Sequence, residues 1–279
     1  MNFHRGELAA QRLAGVSGNG GAIRDFMPAQ HRLFFEALPF MLAATLDAEG
    51  QPRASVLHGE PGFIFTPSEH TIRISAASTL EAGRPAGLLG LDFATRRRNR
   101  ANGVVRSNEG GTLVVDVLES FGNCPQHITL RDVEEVAPKL PHSEDFTILS
   151  AAARALIEKS DTLFVASTGG EHGIDISHRG GPAGFARIDG NSLVVPDFKG
   201  NRYFNTLGNM LLDDRAALLF IDFTSGDVLE LRGRVQIAWA SDADGGRSWR
   251  FACEAGTLTT GALPLRWKTR GTGLSTMTT

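Results

Sequence analysis

Apolar residues along this chain fall in short runs, not long helical stripes. MLAATLDAEGQPRASVL (41–57) is two such runs on either side of a polar Asp-Ala-Glu-Gly tip, and LFVASTGGEHGIDIS (163–177) repeats the pattern with Gly-Gly at the tip. Apolar runs of strand length joined by a short turn-forming tip predict β-hairpins. GTLVVDVLE (111–119) and RVQIAWASD (234–242) extend the series, and glycine or proline recurs at nearly every connection. That punctuation belongs to an antiparallel barrel or sandwich. Helical periodicity is confined to AQHRLFFEAL (29–38), SEDFTILSAAARALIEKS (143–160) and NRYFNTLGNML (201–211). The second of these has Ser143 as candidate N-cap, with Glu144 and Asp145 in its first turn.

The pattern is duplicated. Shifted by 122 residues, 45–63 lies over 167–185 without a gap, matching Glu49 with Glu171, Ser55 with Ser177, Gly59 with Gly181, Gly62 with Gly184 and Phe63 with Phe185. Shifted by 130, AGLLGLDF (86–93) lies over AALLFIDF (216–223), and Gly103 and Val105 fall on Gly233 and Val235. The offset grows by eight between these matches, which places an insertion in the second copy over the stretch FKGNRYFNTLGN. Each copy then reads as a helix followed by a small β barrel.

That insertion is where the candidate chemistry gathers. A strand ending at Val195, a turn through Pro196–Asn201 and a helix starting near Arg202 bring Lys199, Arg202 and backbone N–H groups to a helix N-terminus, a ready phosphate site. A solvated surface turn capped by its asparagines is the alternative.

Composition narrows the ligand. The 279 residues, 42% of them hydrophobic, suffice for one large domain or two small ones, and a net charge of −3 gives no broad attraction to nucleic acid or an anionic membrane. A small ligand held by a local cluster is expected. Cys124 and Cys253 lie far apart with no Cys/His ligand spacing, so neither a disulfide framework nor a metal site is expected, and a reducing cytoplasm is the expected location. The N-terminus lacks a continuous apolar core, and no run approaches the ~20 apolar residues of a membrane span, so neither an export signal nor a membrane segment is expected.

SHRGGPAGF (177–185), GNRYFNTLGN (200–209), FGNCPQHI (121–128) and GALPLRW (261–267), in this order of elements, resemble the pyridoxamine 5'-phosphate oxidase-like FMN-binding split-barrel superfamily, and most closely a double-length branch of it. The resemblance covers about residue 30 to about residue 267. It implies a mainly β (α+β) chain of two tandem FMN-binding split β-barrel units with a few flanking helices, forming an intrachain pseudo-dimer. The expected boundaries are an N-terminal extension (1–28), a first copy lacking the phosphate turn (29–135) and a second copy carrying it (136–279).

The implied cofactor is FMN, and the site residues are carried over one by one. Ser177, His178 and Arg179 would face the flavin and its phosphate. Asp197 and Lys199 would lie by the ring and ribityl chain, Arg202 would bind phosphate with Asn201 in the same turn, and Asn205 would follow one helical turn later. Tyr203 stands where the family has a lysine. Asn123 and Gln126 can offer amide hydrogen bonds from the opposite wall, and Cys124 is expected as a buried apolar residue. In TRRRNR (95–100), strand alternation turns Arg96, Arg98 and Arg100 one way and Arg97 the other, so one cationic patch is not expected. A solvated or subunit-facing edge is expected there, the alternative being that one arginine reaches the cofactor from the first copy.

The resemblance implies an FMN-dependent oxidoreductase acting on a small organic substrate or redox partner, with NADH or NADPH as a candidate donor. The alternative is a non-catalytic flavin- or haem-binding split-barrel protein. No nucleophilic triad or carboxylate pair is evident, and His178 could donate to the flavin, transfer a proton or be structural. Family habit makes a homodimer of the whole chain an open expectation.

Overall fold

The computed structural model describes residues 3–16, 23–198, 200, 203–239 and 246–270. The first half contains α1 (Arg5–Leu13), α2 (Ala29–Glu36), β1 (Phe40–Leu46), β2 (Pro52–His58), β3 (Ile64–Ser68), β4 (Thr71–Ser75), β5 (Pro85–Asp92), β6 (Arg97–Glu109) and β7 (Thr112–Gly122). Then follow β8 (Arg131–Glu135), β9 (His142–Phe146), α3 (Ala151–Lys159), β10 (Thr162–Thr168), β11 (Ile174–Gly180), β12 (Arg187–Asp189) and β13 (Ser192–Pro196). The chain continues with α4 (Asn205–Leu212), β14 (Arg215–Ile221), β15 (Val228–Ala238), β16 (Ser248–Thr260) and β17 (Leu265–Thr269).

The molecule is mainly β. One sheet has the order β2-β1-β5-β6-β7-β4-β3, the other β11-β10-β14-β15-β16-β13-β12 with β9 added on β16, and β8 pairs with β17. The order is the same in both sheets, all pairings are antiparallel, and neither sheet closes on itself. Each carries a bulge at the same place, between Asn102 and Gly103 in one and Arg232 and Gly233 in the other. Both glycines are dictated by close packing: a Cβ would stand 1.8 Å from the Asp116 carbonyl oxygen at Gly103 and 1.9 Å from that of Ala252 at Gly233. The sheets differ most where β4 leads to β5 (76–84) and β13 leads to β14 (197–214), the longer connection carrying α4.

The helix expected over 143–160 is shorter. Residues His142–Phe146 form β9 on the edge of β16, and the helix starts only at Ala151, capped by Ser150, whose hydroxyl accepts from Ala153 N–H. Edge pairing wins over the capping signal at Ser143, whose hydroxyl meets Thr259 instead. In the first half, the N-terminal extension contains α1, a helix that periodicity alone did not indicate.

Three apolar clusters explain the runs. Met41 and Ala43 of β1 point into the core of the first sheet, while Phe40, Leu42 and Ala44 point at the second sheet. In β10, Leu163 and Val165 likewise serve the second sheet's core while Phe164 and Ala166 meet the first. Strands buried on both faces read as continuous apolar runs rather than alternating ones. Where the halves meet, two ion pairs run in opposite senses. Arg100 of β6 bonds Asp175 of β11 at 3.2 Å, whereas Arg53 of β2 bonds Glu230 of β15 at 2.7 Å. No helix among the described residues is long and apolar enough to cross a membrane.

Candidate functional site

Strand β11 edges the second sheet and lies against the first half, so its side chains divide between two environments. Asp175, Ser177 and Arg179 share one face and His178 takes the other. Thr206 of α4 and Arg100 of β6 both donate to the Ser177 hydroxyl, at 2.8 and 2.5 Å. Asp175 accepts from Arg100, from Asn102 at 2.8 Å and from Asn209 at 2.9 Å. Asn205, the first residue of α4, meets Arg100 and donates to Glu7 of α1. A buried polar network of this kind fixes geometry because each lost partner leaves a costly orphan.

A cleft adjoins this network, lined by Arg98, Gln126, His127, His178, Arg179, Asp197, Phe198 and Gly200 among others; it encloses about 40 Å³ and opens to solvent. Its chemistry is cationic. Arg98 meets Nδ1 of His178 at 3.0 Å. A guanidinium only donates, so Nδ1 accepts and the imidazole proton sits on Nε2. Burial is the main cause holding the His178 pKa well below 6.5, with Arg98 and Arg179 adding to it, so the ring is neutral at physiological pH. Burial, then Arg100 and Arg179, push Arg98 down to about 9, and burial lowers Arg179 as well. Both guanidinium groups remain charged at neutral pH.

Donor atoms are left over. Nε of Arg98, Nε2 of His178, and Nε and Nη2 of Arg179 are buried without a hydrogen-bond partner among the described residues. Asp197, the one carboxylate lining the cleft among the described residues, is committed to Arg247, which donates to it at 2.9 and 2.7 Å. Its 3.7 Å approach to Arg179 is a charge contact too long for a hydrogen bond.

Of the expected residues, the structure brings His178, Arg179, Asp197 and Gln126 to the cleft, and Ser177 and Asn205 join through the Arg100 network. Asn123 lies beside it, its N–H donating to the Arg98 carbonyl at 3.1 Å and its side-chain oxygen without a hydrogen-bond partner among the described residues. Lys199, Asn201 and Arg202 fall outside the described residues. Two expectations are corrected. Cys124 is exposed rather than buried, because FGNCPQHI leaves the sheet after Gly122. The arginines of TRRRNR do contribute to one cationic cluster. Arg96 sits in the preceding turn with φ 57°, while Arg98 and Arg100 both face the second half, where Arg179 completes the cluster. Alternation within one strand could not show that a strand from the other half supplies the third cation. Arg247, Asp175 and Glu7 were missed, being brought in only by tertiary packing.

Residues 149–254 match the family model for pyridoxamine 5'-phosphate oxidase. Over that segment the chain is similar to the superfamily its motifs resemble. No curated protein matches. Among solved structures, the chain is similar to a protein related to general stress protein 26 of B. subtilis (pyridoxinephosphate oxidase family) from Clostridium acetobutylicum. That match has 15% identity and a TM-score of 0.29, covering 42% of this chain and 92% of that one. A FAD-binding protein from Mesorhizobium loti shows 11% identity over 43% of this chain and 98% of its own, with a TM-score of 0.31. An F420 reductase shows 12% identity over 42% and 93%, with a TM-score of 0.25.

Proposed function

We propose that this chain is an FMN-binding flavoprotein, an oxidoreductase whose cofactor lies between two tandem split-barrel units (29–135 and 136–279) of one intrachain pseudo-dimer. The observation that carries the reading is the pair of guanidinium groups, Arg98 from one half and Arg179 from the other, that face one cleft without an acidic hydrogen-bond partner among the described residues. Buried cations without a full set of acceptors are costly, and the single carboxylate near them, Asp197, is shared with Arg247, so such a site suits an added anion. Two positive charges and a neutral N–H donor suit a phosphate monoester, which carries about −1.5 to −2 at pH 7. The residues present therefore fit the phosphate of FMN. Lys199, Asn201 and Arg202 extend the same turn in sequence and join the phosphate site in this reading, and Gln126 and Asn123 offer amide groups to the ring.

Strand register supports one cofactor per chain. Where β11 has His178 and Arg179 opposite Phe164 and Leu163 of β10, β2 has Val56 and Leu57 opposite Leu42 and Met41 of β1. Where β6 has Arg98 opposite Leu91, β15 has Val228 opposite Ile221. The counterpart position is apolar, and the aromatic cluster of Phe40, Phe93, Phe223 and Trp267 packs there.

Bound FMN supplies hydride or electron transfer, with NADH, NADPH or a redox partner as donor and a small organic molecule as acceptor. The chain's own part is to hold the phosphate, to shield the ring with Phe185 and Phe198, and to present Nε2–H of His178 as a fixed donor. A haem-binding role gains nothing from His178, because its Nε2 carries the proton and has no lone pair for iron. The test is the absorption spectrum of purified protein, identification of the flavin released on denaturation, and bleaching by NADH or NADPH. Released FMN with bleaching supports the oxidoreductase; FMN without bleaching by any donor favours a flavin carrier. Protein that neither contains nor takes up FMN overturns the reading.

A further inference from the structure

Helix α1 belongs to the stretch expected to be a bare extension, yet it is packed along α4. Gly6 and Gly208 make the closest approach: a Cβ on Gly6 would stand 2.2 Å from the Gly208 carbonyl oxygen, and one on Gly208 2.6 Å from Glu7 N. Polar contacts run from Tyr203, just before α4, to Asn209, its fifth residue. Gln11 Nε2 donates to the Tyr203 carbonyl at 3.2 Å, Glu7 accepts from Asn205, and His4 Nε2 meets Asn209 Oδ1 at 3.0 Å. His4 itself is held by a capping box with Glu7, and its ring stacks on His172 at 4.8 Å. Ala10 is wholly buried in the second half's core.

What α1 grips is the support of the cleft. Asn205, Thr206 and Asn209 are the α4 residues that reach Arg100, Ser177 and Asp175, and Arg179 lies two residues further along the same strand face. We propose that α1 is a positioning element of the cofactor cleft, with Glu7 as the positioning residue that fixes α4 and, through it, the row Asp175, Ser177 and Arg179. The inference rests on the flavin reading above. Glu7 touches no ligand in this account; it acts through Asn205.

FMN titration of the full chain, followed by quenching of flavin fluorescence, tests it with Glu7→Ala, Glu7→Gln and Gly6→Leu, each also melted without ligand. Gln keeps an amide oxygen to accept from Asn205, whereas Ala keeps nothing and Leu at 6 has no room beside Gly208. Loss of at least about tenfold in FMN affinity for Glu7→Ala and Gly6→Leu, with Glu7→Gln within about twofold of wild type, is the expected result. If Gly6→Leu fails to fold, the Ala and Gln contrast at Glu7 decides alone. Variants that melt lower yet bind FMN as the wild type does would overturn the positioning role and leave the flavin reading standing. A wild-type chain that takes up no FMN overturns both.

Discussion

Arg98 and His178 come from opposite halves of the chain and meet at 3.0 Å, guanidinium Nη1 to imidazole Nδ1. The contact fixes one neutral tautomer and leaves Nε of Arg98 and Nε2 of His178 free of partners among the described residues. A pair of donors with no acceptor is unfavourable in an empty protein and favourable around an anion, which is why the cleft reads as a binding site rather than as part of the core.

Arg98→Met should weaken FMN binding by roughly ten- to a hundredfold, the worth of one charge-assisted contact to phosphate. Arg97→Met should leave it within about twofold, since Arg97 is exposed and donates to the Gln30 carbonyl. Equal loss in both, measured by fluorescence titration, would remove Arg98 from the site.

His178 should show itself in the acid limb of stability. Its folded pKa is held well below 6.5, so the unfolded chain binds the proton that the native ring refuses. The penalty is absent above about pH 6.5 and grows as pH falls below it. Chemical denaturation of His178→Gln between pH 5 and 7 should be flatter than wild type; parallel curves would mean the ring titrates normally.

Glu7 should act with the opposite sign. Burial pushes its carboxyl up to about 7, with Asp175 and Glu119 raising it further and the His4 N–H and Asn205 opposing. Arg100 lies across the same network. The native state holds this proton more tightly than the unfolded chain, so its contribution is complete below about pH 4.5 and lost as pH rises through 7, by roughly 3 kcal/mol at most. Glu7→Gln should remove that decline between pH 5 and 8.

The sheets were legible in the sequence because hairpin tips and apolar runs are local signals, and the longer connection between β13 and β14 was legible because an offset in self-alignment needs no structure. Ser177, His178 and Arg179 could be carried over because the SHRGGPAGF motif holds a fixed place on its strand, and Asp197 because it directly follows the end of β13. Arg98, Arg247 and Glu7 could not: each reaches the site from an element distant in sequence, and charge runs alone do not say which strand will face them. The helix at 143–160 was misread at its start because an acidic, capped segment looks the same whether it opens a helix or pairs with an edge strand.

The two bulge glycines offer a test of the matching sheets. Gly103→Ala and Gly233→Ala each place a Cβ under 2 Å from a backbone oxygen, which neither neighbour can relieve by a side-chain rotation. Each should cost about 1–3 kcal/mol or more in urea unfolding, and by similar amounts. A neutral effect at one position would show that the two bulges are not equivalent.

The central claim is that one anionic cofactor is held by cations from both halves. Titrating the full-length protein with FMN and with riboflavin, which lacks only the phosphate, addresses it directly. One FMN bound per chain, with riboflavin at least about a hundredfold weaker, is the predicted result for two charge-assisted contacts of roughly 1.5–3 kcal/mol each. Riboflavin bound as tightly as FMN, or no binding of either, would contradict it.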